Sequence, residues 1–113
     1  MSNHSVGHEA EKHAAKYLEK QGYKILELNW RTAYCEIDIV VKKSAIVYLV
    51  EVKYRVSDAF GTGFDYITAK KYDQMKYAAE IWVNNNRWEG EYQLAAIELS
   101  GRDYKVNEFL PLV

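Results

Sequence analysis

The chain has 113 residues, one domain's worth, and is 49% hydrophobic and 27% charged, which excludes a disordered polymer. Fifteen basic against sixteen acidic residues give a net charge of −1, which argues against a protein that coats nucleic acid through bulk charge. Cys35 is the single cysteine, so no internal disulfide forms, and a reducing, cytoplasmic setting is expected. No apolar run approaches the ~20 residues of a membrane span, and the first thirteen residues carry no apolar segment of a secretory signal. The charge is uneven: residues 42–76 hold seven basic and four acidic side chains, while 77–113 hold three and six.

The elements follow from periodicity. Residues 5–21 have helical spacing, with Val6, Ala10, Ala14, Tyr17 and Leu18 on one side, Ser5 as N-cap and Gly22 just past the end. Residues 23–28 alternate as a strand. Residues 36–42 and 46–53, rich in β-branched side chains, are two more. Residues 65–83 return to helical spacing, with Met75, Ala78, Ala79 and Trp82 on one stripe. Residues 92–99 form a fourth strand and 103–109 a fifth. The order α-β-β-β-α-β, with a closing strand, predicts an α/β domain over 1–113: one mixed sheet flanked by helices.

Several charges are out of place on this pattern. Glu11 projects between Ala14, Ala15 and Leu18, at the edge of the apolar stripe, whereas the other charged residues of its helix lie on the polar side. A carboxylate aimed at a sheet needs a partner or a cation; the rival reading is a boundary side chain that reaches water. On the strand at 36–42, alternation puts Glu36, Asp38 and Val40 on one face; on 46–53 it groups Val47, Leu49, Glu51 and Lys53. A two-residue turn at Ser44-Ala45 would set Asp38 across from Glu51, and Glu36 across from Lys53. A one-residue slip would send them to opposite faces. Opposed carboxylates repel unless a cation sits between them. Oxygen ligands without His or Cys suit Mg²⁺ or Mn²⁺, and a nearby lysine can hold a water or offset phosphate charge. The competing reading is a solvated face on which Glu36 and Lys53 form an ordinary pair.

The same residues resemble the PD-(D/E)xK nuclease signature: an acidic residue on the first helix, Asp38, then Glu51-Val52-Lys53. A wider pattern is similar to the YraN-like family of small bacterial predicted endonucleases, related to Holliday-junction resolvases. It comprises Gly7-x-x-Ala10-Glu11, Ala14, Tyr17-Leu18, Gly22-Tyr23, Ile25-Leu26, Asn29-Trp30-Arg31, Glu36-Ile37-Asp38-Ile39, Val50-Glu51-Val52-Lys53, Arg55, Phe60-Gly61, Ile67-Thr68, Lys71 and Ala79. The resemblance implies a restriction-endonuclease-like αβββαβ core. It implies Glu11, Asp38 and Glu51 as metal-ligand carboxylates, the Val52 carbonyl as a further donor, Lys53 as the catalytic lysine and Glu36 as an accessory acid. The chain departs from the family in having Ala10 and Cys35 where glycine is usual. It also carries Glu91-Tyr92-Gln93 where an Arg-aromatic-Asp run enters the late strand.

The functional expectation is Mg²⁺- or Mn²⁺-dependent endonucleolytic hydrolysis of DNA phosphodiesters, on branched or repair intermediates, with a homodimer offering two sites. The alternative is a non-catalytic nucleic-acid-binding or recruitment module on the same fold. Lys70, Lys71 and Arg55 are the candidate phosphate contacts, with a packed lysine stem as the rival reading of Lys71. Gly61-Thr62-Gly63 reads as a turn or as a loop near substrate. Trp88 is the best candidate for an exposed stacking ring, and Cys35 for a small packing thiol.

Overall fold

A computed structural model of the chain describes residues 3–56 and 66–112. Gly61-Thr62-Gly63, Phe60 and the expected helix start at 65 lie outside the described residues, as does the Val6 side chain. The elements are α1 (Asn3–Lys20), β1 (Lys24–Arg31), β2 (Glu36–Lys43), β3 (Ile46–Arg55), α2 (Ala69–Asn85), β4 (Glu91–Ser100) and β5 (Lys105–Pro111). The helix α1 already includes Ser5, which therefore does not cap it; no proline or glycine interrupts the spacing ahead of it. Gly22 follows the helix with φ +95°, the left-handed conformation that glycine adopts without strain. The second helix begins at Ala69, later than its apolar spacing suggests. Thr68 has extended φ and ψ, and its hydroxyl accepts from the Lys71 N–H at 3.1 Å, so it is the N-cap.

The five strands form one mixed sheet in the order β1-β2-β3-β4-β5. Neighbours are antiparallel except β3 and β4, which run parallel because α2 carries the chain back across the sheet. The architecture is α/β, with the strand and helix arrangement of a restriction-endonuclease-like core. Alternation along the strands sorts the core into two layers. Ile39, Val41, Val50, Ala95, Ile97 and Leu99 pack with Ala14, Ala15 and Leu18 of α1. Val40, Val47, Leu49 and Leu94 pack on the opposite face with Met75, Ala78, Ala79 and Trp82 of α2, and Ile37 joins them, so β2 departs from strict alternation at its start. The Trp82 indole N–H also donates to the Glu27 carboxylate, which ties α2 to β1. No described helix is long and apolar enough to cross a membrane.

The β2–β3 connection sets the register that matters for the carboxylates. Ser44 and Ala45 both take positive φ, 52° and 66°, as a type I′ turn requires. Lys43 then faces Ile46, and pairing continues through Val41–Tyr48 to Ile39–Val50. There the ladder stops. Glu36 consequently does not pair with Lys53; it lies beside Arg31 of β1, at 3.8 Å between exposed side chains.

Two outcomes follow from this packing. Ala45→Gly removes the left-handed strain of a Cβ-bearing residue and should stabilise the protein by about 1 kcal/mol in urea denaturation. Trp82→Ala opens a cavity in the α2 layer and strands the Glu27 carboxylate, for a loss of about 3–5 kcal/mol in the same measurement.

Candidate functional site: a carboxylate cluster at the end of the β2–β3 hairpin

Where the ladder ends, the Asp38 side chain takes over: its Oδ2 accepts from the Val52 N–H at 2.8 Å. Glu51 shares the α2 side of the sheet with Leu49 and Val47 and lines the groove there. Alternation breaks at Asp38: Ile37 packs in the α2-side layer although Ile39 packs in the α1-side layer, and Asp38 sits at this break with Glu51 and Glu11 both near it. Burial, then the Glu51 charge, pushes the Asp38 carboxyl up to about 7 against the pull of the Val52 N–H, and Glu11 and Glu36 add to the rise. Glu11 reaches the group from α1. Burial raises its carboxyl and the neighbouring Glu36 adds to that, while a hydrogen bond from the Asn29 side chain, His8 and Arg31 oppose it. Asn29 adopts φ 52°, a left-handed conformation that asparagine tolerates. The Glu11 Oε2 is buried without a hydrogen-bond partner.

Besides Arg31 at Glu36, two cations around this cluster are held in closer ion pairs. Lys71, in the first turn of α2, places its Nζ 2.9 Å from Glu51 Oε2. Burial works against its charge, but the hydrogen bond to Glu51 and the nearby carboxylates outweigh it and hold the amine above its ordinary value. Lys70, the adjacent residue, is exposed and lines a groove of about 920 Å³ with Glu36, Glu51 and Lys71. Arg55 is tied to β4: its Nε donates to Glu98 Oε1 at 2.6 Å, and Glu98 is 3% exposed. Glu98 faces Lys53 in the parallel β3–β4 register, so this buried acid is a near neighbour of the lysine. The Tyr66 ring lies 5.5 Å from the Lys53 Nζ and 6.0 Å from the Arg55 guanidinium carbon. Burial first, then Glu51 and Glu98, raises the Tyr66 hydroxyl.

Glu98, Tyr66 and Asn29 do not stand out by spacing. The one signal for Glu98 was an acid in an otherwise apolar strand, Leu94–Leu99. Two aromatic and amide positions are placed elsewhere than expected. Trp88 is half-buried: its ring packs over Gly90 and against the α2-side core, and its indole N–H donates to the Glu91 carbonyl at 2.9 Å. Gln93 faces Tyr48 and donates to the Leu112 carbonyl, three strand positions before Ala96, the residue beside Glu51. Its departure from the family's acid therefore falls outside the cluster. Cys35 packs against the α2-side core next to the Thr32 hydroxyl.

A donor set made of oxygens, with one buried carboxylate oxygen unpartnered, fits a hard divalent ion. Among the described residues no three His, Cys, Asp or Glu side chains stand close enough as they are to enclose one. The Glu51 carboxylate is turned to Lys71 and that of Asp38 to the Val52 N–H. An ion would need these side chains to rotate toward each other.

The raised Asp38 carboxyl makes stability depend on pH. The folded protein retains a proton there that the unfolded chain has released between about pH 4 and pH 7, so metal-free stability falls as pH rises through that window. Linkage puts the full effect on the order of 4 kcal/mol. Asp38→Asn should flatten that part of the curve in denaturant titrations at pH 5 and pH 8.

Residues 10–104 match the model of the uncharacterised protein family UPF0102. A UPF0102 protein of Vibrio parahaemolyticus is 32% identical over 107 residues, which covers 91% of this chain and 88% of the relative. One from Alkaliphilus oremlandii is 33% identical over 110 residues, with 93% and 94% covered. One from Cytophaga hutchinsonii is 30% identical over 107 residues, with 95% of each covered. This chain, with its five-stranded mixed sheet and the hairpin that carries Asp38 and Glu51, belongs to the UPF0102, or YraN, family.

Proposed function

We propose that the protein hydrolyses phosphodiester bonds in DNA with the help of Mg²⁺ or Mn²⁺. The observation that carries the reading is the gathering of Asp38, Glu51, Glu11 and Glu36 at one sheet end, with Glu11 Oε2 buried and without a hydrogen-bond partner. A fold gains no stability from gathering carboxylates on one buried sheet end, whereas a cation bound there turns their repulsion into attraction.

Asp38, Glu51 and Glu11 would hold the ion, with the Val52 carbonyl as a fourth donor and Glu36 as an accessory acid. Bound there, the ion lowers the pKa of its water and offsets charge on the phosphate. Lys53 holds the attacking water by hydrogen bonding, and the Tyr66 ring beside its amine limits where that amine can go. Glu98 holds Arg55 back, so Arg55 steadies the wall next to Lys53 and leaves substrate contact to Lys70 and Lys71. Lys71, which pairs with Glu51 at a partly exposed position, would contact a phosphate oxygen when Glu51 serves as a metal ligand. A symmetric homodimer would present two such sites to two strands.

Two measurements test the reading. Titration of Mn²⁺ by calorimetry should show binding that is lost in Asp38→Ala, because the variant removes the central carboxylate. Cleavage of duplex, branched and single-stranded DNA in Mn²⁺ should fall about 10²–10³-fold in Lys53→Ala, the usual cost of losing a charge-stabilising donor. Equal cleavage by Lys53→Ala, or no metal binding by the native chain, overturns the enzyme assignment and leaves the non-catalytic nucleic-acid-binding module.

A further inference from the structure

The groove beside Glu51 has a composition that the metal site does not account for. Its ionic lining is balanced: Arg31, Lys70 and Lys71 against Glu36, Glu51 and Asp73. Two of the three cations are already engaged, Lys71 with Glu51 and Arg31 with Glu36. A surface that grips duplex DNA by its backbone alone needs a surplus of cations, because its affinity comes from phosphate neutralisation. This groove has no surplus.

It has instead two tyrosine rings in water. Tyr34, between β1 and β2, is 86% exposed, and Tyr77, on α2, is 50% exposed; both line the groove. The strand connection under Tyr34 is held in a defined shape. The Thr32 hydroxyl accepts from the N–H groups of Tyr34 and Cys35 at 3.1 and 3.2 Å and lies 3.3 Å from the Cys35 sulfur. The Thr32 N–H donates to the Cys35 carbonyl at 2.8 Å. A large ring held out into solvent by a tied loop loses little entropy on contact with a flat partner. Tyr77 rises from the middle of a helix, an equally firm base.

We infer that Tyr34 and Tyr77 form a stacking platform for unpaired bases, and that the substrate is single-stranded DNA or a single-stranded segment of a branched molecule. Bases in a duplex are stacked on one another and do not offer their faces to a side chain; unpaired bases do. The platform shares its groove with Glu51, so a strand stacked on the tyrosines brings its backbone to the carboxylate cluster. The inference rests on the reading of that cluster as a phosphodiester site.

Fluorescence anisotropy tests it, with a labelled DNA single strand, its blunt duplex and a matched RNA strand, in Ca²⁺ so that binding is read apart from cleavage. The single DNA strand should bind more tightly than the duplex. Tyr34→Ala and Tyr77→Ala should each weaken it about 5- to 100-fold, the range of one lost base stack. Tyr34→Phe and Tyr77→Phe should retain it, because the ring face and not the hydroxyl makes the contact. Both positions are exposed enough for the variants to fold, which thermal melts would confirm. Alanine variants that bind like the native chain, a duplex bound as tightly as the single strand, or RNA preferred over DNA overturns the inference. The two readings fail separately. Cleavage that needs Lys53 but ignores both tyrosines removes the platform and leaves the catalytic site. Tyrosine-dependent binding without Lys53-dependent cleavage does the reverse.

Discussion

Two backbone conformations at one turn govern the chemistry of this sheet. With Ser44 and Ala45 both at positive φ, the β2–β3 hairpin closes on Lys43–Ile46, and every later pair follows from that register. A slip of one residue would turn Val40 into the α1-side core and send Ile39 and Val41 toward α2. The aliphatic side chains forbid it, since Ile39 and Val50 fill one layer and Val40 and Leu49 the other. Hydrophobic layering and turn geometry therefore agree as far as Ile39–Val50; beyond that pair Ile37 leaves the alternation, and the Asp38 carboxylate is held beside Glu51 by the Val52 N–H.

The price of that placement is electrostatic. Carboxylates at a half-buried sheet end repel, and Asp38 responds by holding its proton to about pH 7. Lys71 compensates at Glu51, and Arg55 compensates at Glu98. The two pairs differ in burial: the Lys71–Glu51 pair is partly exposed, whereas Glu98 is almost wholly enclosed. An enclosed pair is costly to break, so Arg55 and Glu98 behave as a fixed strut, while Lys71 can exchange partners. Lys53 lies between these two pairs, bordered by the Tyr66 ring.

With Tyr34 and Tyr77 as the proposed stacking platform, the groove would add a different kind of recognition. Its balanced charge gives a passing backbone little to hold, and its tyrosines offer flat apolar faces. An overall charge of −1 would be compatible with that arrangement, because base stacking supplies part of the affinity for an unpaired strand.

The local patterns alone settled the seven elements, the α2 stripe of Met75, Ala78, Ala79 and Trp82, and the two-residue turn, because period and turn chemistry act over a few residues. They also marked Glu11, Asp38, Glu51 and Lys53 as charges on apolar faces. Partners across the sheet were decided only by the fold. Arg55 meets Glu98 across 43 residues, since the α2 crossover sets β4 parallel to β3, and no spacing rule reaches that far. The exchange of Glu36 from Lys53 to Arg31 depends on where the ladder stops, and the burial of Trp88 depends on a core built by other strands. Tyr34 and Tyr77 resemble the chain's other tyrosines in sequence. Packing buried most of the others in part and left these two in the groove, because exposure is a property of what surrounds a side chain and not of the side chain itself.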